Sequence, residues 1–151
     1  MSEISCDVIV IGAGPAGEVA AGRLADGGLE VVVVENHLVA GECSYYACMP
    51  SKALLRPGDL IDEARRIPGV KEAVTGDIDV ASALARRDEV IHDLDDSVQL
   101  PWLEDKGIRL VRGSGKLTGE KTVTAGEHEI TASRAVVIST GTRPAMPPID
   151  G

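Results

Sequence analysis

The sequence predicts an α/β fold, a parallel sheet carrying helices with a small antiparallel β-hairpin added to it. Three observations predict this. An apolar run at residues 6–11 (CDVIVI) ends in a glycine-rich turn, a helical pattern follows, and a second apolar run at residues 30–35 (EVVVVE) comes next. All three fit within the ~30 residues of a βαβ unit, whose two strands lie parallel.

The first run is β-branched and does not alternate, which is the look of a strand covered on both faces. In the turn Gly12-Ala13-Gly14-Pro15-Ala16-Gly17, Pro15 suits a first helical turn, where its missing N–H costs nothing. Ala16, Val19, Ala20 and Leu24 then recur at helical spacing until Gly27-Gly28 stops the helix. Beyond the second strand and an irregular stretch, residues 44–56 read as a helix interrupted by Pro50. A longer helical segment keeps Val80, Leu84, Ile91, Leu94 and Val98 on one apolar stripe, which Pro101 ends or kinks. The last third reads as β structure: a strand at 108–111, a hairpin of 116–118 and 122–124 around Gly119-Glu120, and a buried strand at 135–138 before Ser139-Thr140-Gly141-Thr142. Residues 143–151 hold three of the eight prolines and resemble an interdomain linker.

The length, 151 residues, suits one domain. A chain of that size buries close to ~70% of its unfolded surface without staples. With no Phe, one Trp and two Tyr, the core must be aliphatic. Fifteen basic and 24 acidic side chains leave a net charge of −9, which argues against nucleic acid and anionic membranes as partners. Residues 77–106 alone hold nine acids and three bases, the solvated face of a surface helix rather than an acidic docking site. The sequence contains no run of eighteen apolar residues, and its start lacks a basic leader, so a cytoplasmic location is expected. In that reducing compartment three cysteines point to catalysis, metal binding or inert thiols, not a disulfide framework.

Two places carry chemistry. In the first, Gly12 permits a tight turn, Gly14 lets a pyrophosphate approach the backbone, and Gly17 lets helix and strand pack closely, while N–H groups at the helix start attract the diphosphate. Glu35, 18 residues past Gly17 at the end of the second strand, is placed to accept hydrogen bonds from a ribose diol. A purely structural glycine turn is the bland alternative. The second place is residues 41–52, GECSYYACMPSK. Its C-x4-C spacing fits neither zinc sites nor thioredoxin-like motifs. Five residues of ideal helix span about 7.5 Å along the axis, already beyond the ~6.8 Å Cα limit for a disulfide. A Cys43–Cys48 bridge would need a distorted turn, for which Pro50 is a cause. At a helix start, with Lys52 nearby, the thiols should have lowered pKa values. Two ordinary buried cysteines remain the alternative at this point.

Taken together, GAGPAG, Glu35, G-x-C-x4-C-x-P-S-K and a late strand ending STGTRP resemble the class I pyridine nucleotide-disulfide oxidoreductases, the family of dihydrolipoamide dehydrogenase, glutathione reductase and mercuric reductase. The resemblance covers essentially the whole chain. It implies a Rossmann-like FAD-binding domain, with FAD held by Gly12, Gly14, Pro15, Ala16, Gly17 and Glu35, Lys52 near the isoalloxazine, and backbone contacts from Gly115, Thr140 and Gly141. It also implies that Cys43 is the outer thiol that exchanges with substrate and Cys48 the inner thiol that exchanges electrons with the flavin. The activity implied is electron transfer between NAD(P)H, FAD and a Cys43–Cys48 disulfide, dihydrolipoamide dehydrogenase-like, with a lipoyl-type or other small disulfide or dithiol substrate. A mercuric reductase-like or other flavoprotein reductase is the alternative, followed by a nucleotide-binding module without a redox disulfide and an NAD-dependent dehydrogenase.

Ala40, Glu42 and Ala47 stand where the family usually has Gly, Thr and Gly, and Glu42 should raise the pKa of Cys43 by charge repulsion. Tyr45 and Tyr46 between the cysteines read as core packing, with shaping of the disulfide pocket as the alternative. Family members are roughly three times as long, with an NAD(P)-binding domain and a dimer-forming C-terminal domain that carries a His–Glu pair. Residues 1–151 are therefore expected to be the N-terminal part of an FAD-binding domain, inactive by itself, with 143–151 leading toward the NAD(P) domain of a homodimeric protein. No metal site is expected. Gly115-Lys116 is not a phosphate-binding loop, because Leu117 replaces the required hydroxyl residue. His37, His92 and His128 read as surface or loop residues, and Cys6 as an inert buried thiol.

Overall fold

The structure is a computed structural model and describes residues 2–143 and 145–149. The chain divides into two compact units, one made of the residues up to Asn36 and from Lys106 onward, the other of His37–Asp105.

The first unit is built on β1 (Ser2–Ile11), α1 (Pro15–Asp26), β2 (Val31–Glu35), β3 (Arg109–Arg112), β4 (Lys116–Gly119), β5 (Thr122–Ala125) and β6 (His128–Ile138). The strands form one sheet in the order β3-β2-β1-β6-β5-β4. β1, β2, β3 and β6 pair in parallel, while β4, β5 and the start of β6 form an antiparallel meander. The expected α/β architecture with an appended hairpin is therefore present. Val31 to Glu35 are all buried, as are Val8 to Ile11, which is why neither run alternates. The core is aliphatic, with Ile9, Val34, Val123 and Ile130 at its centre. Full burial of each such side chain contributes roughly 1.5–3 kcal/mol.

Two strands differ from the sequence reading. β1 starts at Ser2 and β6 at His128, well before the apolar runs, because Ser2–Cys6 pairs in parallel with His128–Ala132 and β5 covers the other edge of that stretch. Opposite Asp7 the register slips by one residue. The carboxylate of Asp7 accepts from Ser133 Oγ at 2.9 Å, Arg134 Nε at 3.2 Å and the Glu30 N–H at 3.0 Å, so a β-bulge carries the polar residues that hid this strand from pattern reading. The 135–138 stretch is not fully buried either, and Ile138 is 62% exposed. Among the described residues β5 reaches only the first part of β6, so the 135–138 half of β6 pairs with β1 on one edge alone.

In the second unit the chain forms α2 (Gly41–Tyr45), α3 (Cys48–Arg66), α4 (Val80–Val90) and α5 (Leu100–Asp105), with 3-10 turns between them. The helix expected at 44–56 is broken at Tyr46-Ala47, not at Pro50. Pro50 is the third residue of α3, where no helical N–H partner is needed, and α3 continues through Pro57 to Arg66. The long apolar stripe does not form one helix. α4 ends at Val90, and His92, Asp93 and Leu94 all take positive φ (51°, 51° and 64°), which turns the chain. Of the stripe only Ile91 is buried, and Pro101 lies in the first turn of α5 instead of ending a helix. Part of the acidic run serves these breaks. Asp79 caps α4 by accepting from the Ala81 and Ser82 N–H groups, and Asp95 accepts from Ser97. The Ser82 hydroxyl, donating to Asp79 at 2.8 Å, together with the N–H bonds, lowers the pKa of the Asp79 carboxyl, and the Ser97 N–H and hydroxyl lower that of Asp95.

Candidate functional site

In the first unit the candidate residues gather at the ends of β1, β2 and β6. The Gly12 N–H donates to the Val34 carbonyl at 2.8 Å and the Ser139 N–H to the Ile11 carbonyl at 2.8 Å, so three strand ends are tied to one turn. Gly12 has φ of +99°, and a Cβ there would lie 2.4 Å from the Ser139 carbonyl oxygen and 3.1 Å from the Thr140 Cα. A Cβ on Gly17 would lie 1.8 Å from the Gly12 carbonyl oxygen. Both positions exclude any side chain. Gly14 is the extended residue before α1, Pro15 begins the helix, and Ala16 is exposed beside it. The N–H groups of this first turn have no partners within the helix, and they lie at the positive end of its dipole.

Glu35, 9% exposed, ends β2 and accepts from the Ala13 N–H at 2.7 Å. A carboxylate is thereby fixed against the glycine turn. Gly115 is also sterically required, since its Cβ would meet Ile11 Cγ2 at 2.9 Å and Val34 Cγ1 at 3.2 Å. Thr140 and Gly141 follow β6, exposed, with Gly141 at φ of +67°. Together these groups make a cradle of backbone with one carboxylate at its edge, N–H donors of the kind a diphosphate takes and an acceptor of the kind a ribose diol takes. The group missed in the sequence is Glu18. Its carboxyl lies in the first turn of α1, and burial pushes its pKa up. A glutamate after GAGPAG carries no pattern that would flag this.

The second unit holds Cys43, Cys48 and Lys52. Cys43 lies within α2, Cys48 opens α3, and the joint between them is Tyr46-Ala47. The N–H groups of Tyr46 and Ala47 both end on the Glu42 carbonyl, at 2.8 and 2.7 Å. This non-helical joint sets the two thiols near enough for Cys48 to bear on the ionisation of Cys43. The Cys43 pKa moves opposite to the lowering expected from the sequence. The hydrogen bond with the Cys48 thiol pushes it up, with burial and the Cys48 charge adding to this, against the opposing pull of Lys52 and the Cys48 N–H. Glu42, expected to repel the Cys43 thiolate, is exposed to water and does not figure among these causes. Tyr45 is core, 2% exposed beside Ala40 and Ile91. Tyr46 is not core. It is 49% exposed, and its ring stacks on His37. Cys6 is a buried thiol facing the Val8 carbonyl, and burial raises its pKa. Among the described residues no group of three His, Cys, Asp or Glu side chains could hold a metal ion, and no helix is long and apolar enough to cross a membrane.

Residues 6–151 match the pyridine nucleotide-disulphide oxidoreductase family. The chain belongs to this family. A mercuric reductase from Lysinibacillus sphaericus is 28% identical over 152 residues, covering 100% of this chain and 28% of that protein. Dihydrolipoyl dehydrogenase 3 from Pseudomonas aeruginosa is 36% identical, covering 95% of this chain and 32% of that protein. Among solved structures, the HOCl-induced flavoprotein disulfide reductase RclA from Escherichia coli superposes with a TM-score of 0.74 at 24% identity, over 96% of this chain and 30% of that one. The chain thus spans less than a third of the length of each of these relatives. Mercuric reductases and dihydrolipoyl dehydrogenases are both among its relatives.

Proposed function

We propose that this chain is the FAD-binding and dithiol-bearing part of a disulfide oxidoreductase that works on a lipoyl-type or similar small dithiol, in the manner of a dihydrolipoamide dehydrogenase. The observation that carries the reading is the pair Cys43 and Cys48, set on the two sides of a break between the short helix α2 and α3, with Cys48 acting on the Cys43 thiol. Gly12, Gly14, Pro15, Ala16 and Gly17 would hold the FAD diphosphate, Glu35 its ribose, and Gly115, Thr140 and Gly141 the rest of its backbone contacts. FAD supplies two-electron exchange between the cysteine pair and NAD(P) when bound.

The cysteines act by thiol–disulfide exchange. A substrate thiolate attacks the Cys43 sulfur of the Cys43–Cys48 disulfide; the S–S bond breaks, and Cys48 leaves as a thiolate. The second substrate thiolate then attacks the mixed disulfide and releases Cys43. The substrate dithiol loses two electrons, and the protein disulfide gains them. In the reverse direction the Cys43 thiolate is the nucleophile, and Lys52 stabilises it electrostatically. The whole protein is proposed to be a cytoplasmic homodimer, with its NAD(P) site outside this chain.

Titration of the full-length flavoprotein with dithionite tests the reading. A long-wavelength thiolate-to-flavin charge-transfer band should appear after two electrons and vanish in Cys48→Ser. Its absence from the unmutated protein would sink the disulfide reading and leave a nucleotide-binding module. Similarity to a mercuric reductase over 100% of the chain favours one second reading, in which the same thiols take a thiophilic metal ion. Mercuric ion, but not dihydrolipoamide, would then drive pyridine nucleotide turnover.

A further inference from the structure

The joint between the two cysteines is held from outside the motif. Tyr46 follows α2 with φ of −125° and ψ of −17°, and Ala47 follows with φ of −123° and ψ of −88°, so neither continues a helix. What sets these two residues sets how Cys43 and Cys48 meet. On the backbone side the Glu42 carbonyl receives both N–H groups. On the side-chain side Tyr46 is half exposed, so burial alone does not fix it. It is fixed by His37, whose Nε2 lies 3.1 Å from the Tyr46 hydroxyl and whose ring stacks on the phenol with centroids 5.7 Å apart and planes 16° apart. His37 precedes α2 and Tyr46 follows it. The contact therefore closes around the short helix that carries Cys43.

His37 lies outside the C-x4-C-x-P-S-K pattern, Tyr46 fills one of its variable positions, and neither needs to touch a cofactor to act. We propose that the His37–Tyr46 pair is a positioning clasp that holds the Tyr46-Ala47 joint in the shape that brings Cys43 and Cys48 together, and so favours closure of their disulfide over the open dithiol. This rests on the dithiol–disulfide reading above. The physical basis is effective concentration. Two thiols held within contact close a ring more readily than two thiols on a loose joint, because less conformational freedom is lost at closure. A side-chain contact that restrains two backbone residues acts on that equilibrium without supplying a reacting atom.

The test is the equilibrium between the full-length flavoprotein and glutathione disulfide, in which the dithiol and one glutathione disulfide give the Cys43–Cys48 disulfide and two glutathiones. His37→Ala and Tyr46→Ala should each lower the constant for closure about threefold, which is ~14 mV for a two-electron couple. The double variant should go no further than the larger single one, since each removes the same contact. Tyr46→Phe, which keeps the stack and loses the hydroxyl, should fall between wild type and Tyr46→Ala. Closure constants unchanged in the single variants, or single effects that multiply in the double variant, overturn the clasp. If a variant to Ala does not retain its flavin, His37→Gln and Tyr46→Phe separate the same outcomes with less disturbance. Failure of the unmutated protein to form any Cys43–Cys48 disulfide overturns the function reading and the clasp with it, whereas a normal disulfide that ignores His37 and Tyr46 overturns the clasp alone.

Discussion

The two units solve the problem of holding chemistry in place by opposite means. In the sheet unit the candidate site is made by what cannot be there: Gly12, Gly17 and Gly115 leave no room for a Cβ, and buried strands set the backbone around them. In the helical unit the site is made by side-chain contacts and irregular joints, with Ala40 at φ of +80° before α2, and Tyr46-Ala47 after it. The difference teaches where each site is vulnerable. A backbone cradle is rigid and fails abruptly when a methyl intrudes, whereas a clasped joint is graded and can be loosened by degrees.

The sharpest way to break the contrast is Gly17→Ala. Its new methyl would meet the Gly12 carbonyl at 1.8 Å, and backbone cannot yield as a side-chain end can. We expect a loss of about 3 kcal/mol or more in stability and no flavin retained, read by thermal unfolding and by flavin absorbance per chain. If Gly17→Ala purifies with a full complement of flavin, the cradle does not have the rigidity ascribed to it. Next in size is Glu35→Ala. The Ala13 N–H loses a charged acceptor at 2.7 Å inside the unit, and bonds to charged groups contribute roughly 1.5–3 kcal/mol. A urea midpoint unchanged from wild type would show that Ala13 finds another partner.

The same contrast governs what can be read from the residues alone. Strand, glycine turn, helix and strand are legible because burial on both faces writes an unbroken apolar run, and because Gly12 and Gly17 have one steric reason to be glycine. The early halves of β1 and β6 are not, since Ser2, Glu3, Ser133 and Arg134 break any pattern and are satisfied by pairing across more than a hundred residues of chain. In the helical unit the cysteine motif is legible, but the behaviour of its thiols is not. The pKa of Cys43 answers to its neighbour Cys48 across the Tyr46-Ala47 break. Pro50 is the only sequence signal for a break in this stretch, and it misplaces the break by three residues because a proline in a first helical turn interrupts nothing. His37 and Tyr46 stand nine residues apart with no helical or strand period to connect them.

Smaller in effect is Ala40→Gly, which sharpens the comparison from the other side. Ala40 adopts a left-handed conformation that costs an L-residue about 1–2 kcal/mol and costs glycine almost nothing. Asp96 shares in holding it there, accepting from the neighbouring Val39 N–H at 2.7 Å. The glycine variant should gain about 1 kcal/mol, less the added freedom of its unfolded chain, and should leave the disulfide equilibrium with glutathione where it was. A destabilised Ala40→Gly protein would mean that the Ala40 methyl, buried against Tyr45 and Ile91, contributes more by packing than its backbone loses by strain.

The smallest effect belongs to Glu18, and it can be isolated by pH. Burial raises its carboxyl above the ordinary glutamate value of 4.5, so the folded chain binds this proton more tightly than the unfolded chain does. Stability from this group is therefore undiminished below the unfolded pKa, falls as pH rises from there through the folded pKa, and stays reduced above it. Gln at this position cannot ionise. Glu18→Gln should match wild type near ~pH 4 and exceed it by a growing margin toward ~pH 7, after which the gap stays constant. Unfolding midpoints of both proteins across that range check this, and parallel curves would mean that the Glu18 carboxylate reaches water. A gap that opens across this window and then holds constant would identify Glu18 as a partly buried charge tolerated in the first turn of α1, where the helix dipole offsets part of its burial. At Glu18, then, the rigid unit stays open to tuning by a side chain, as the clasped one does.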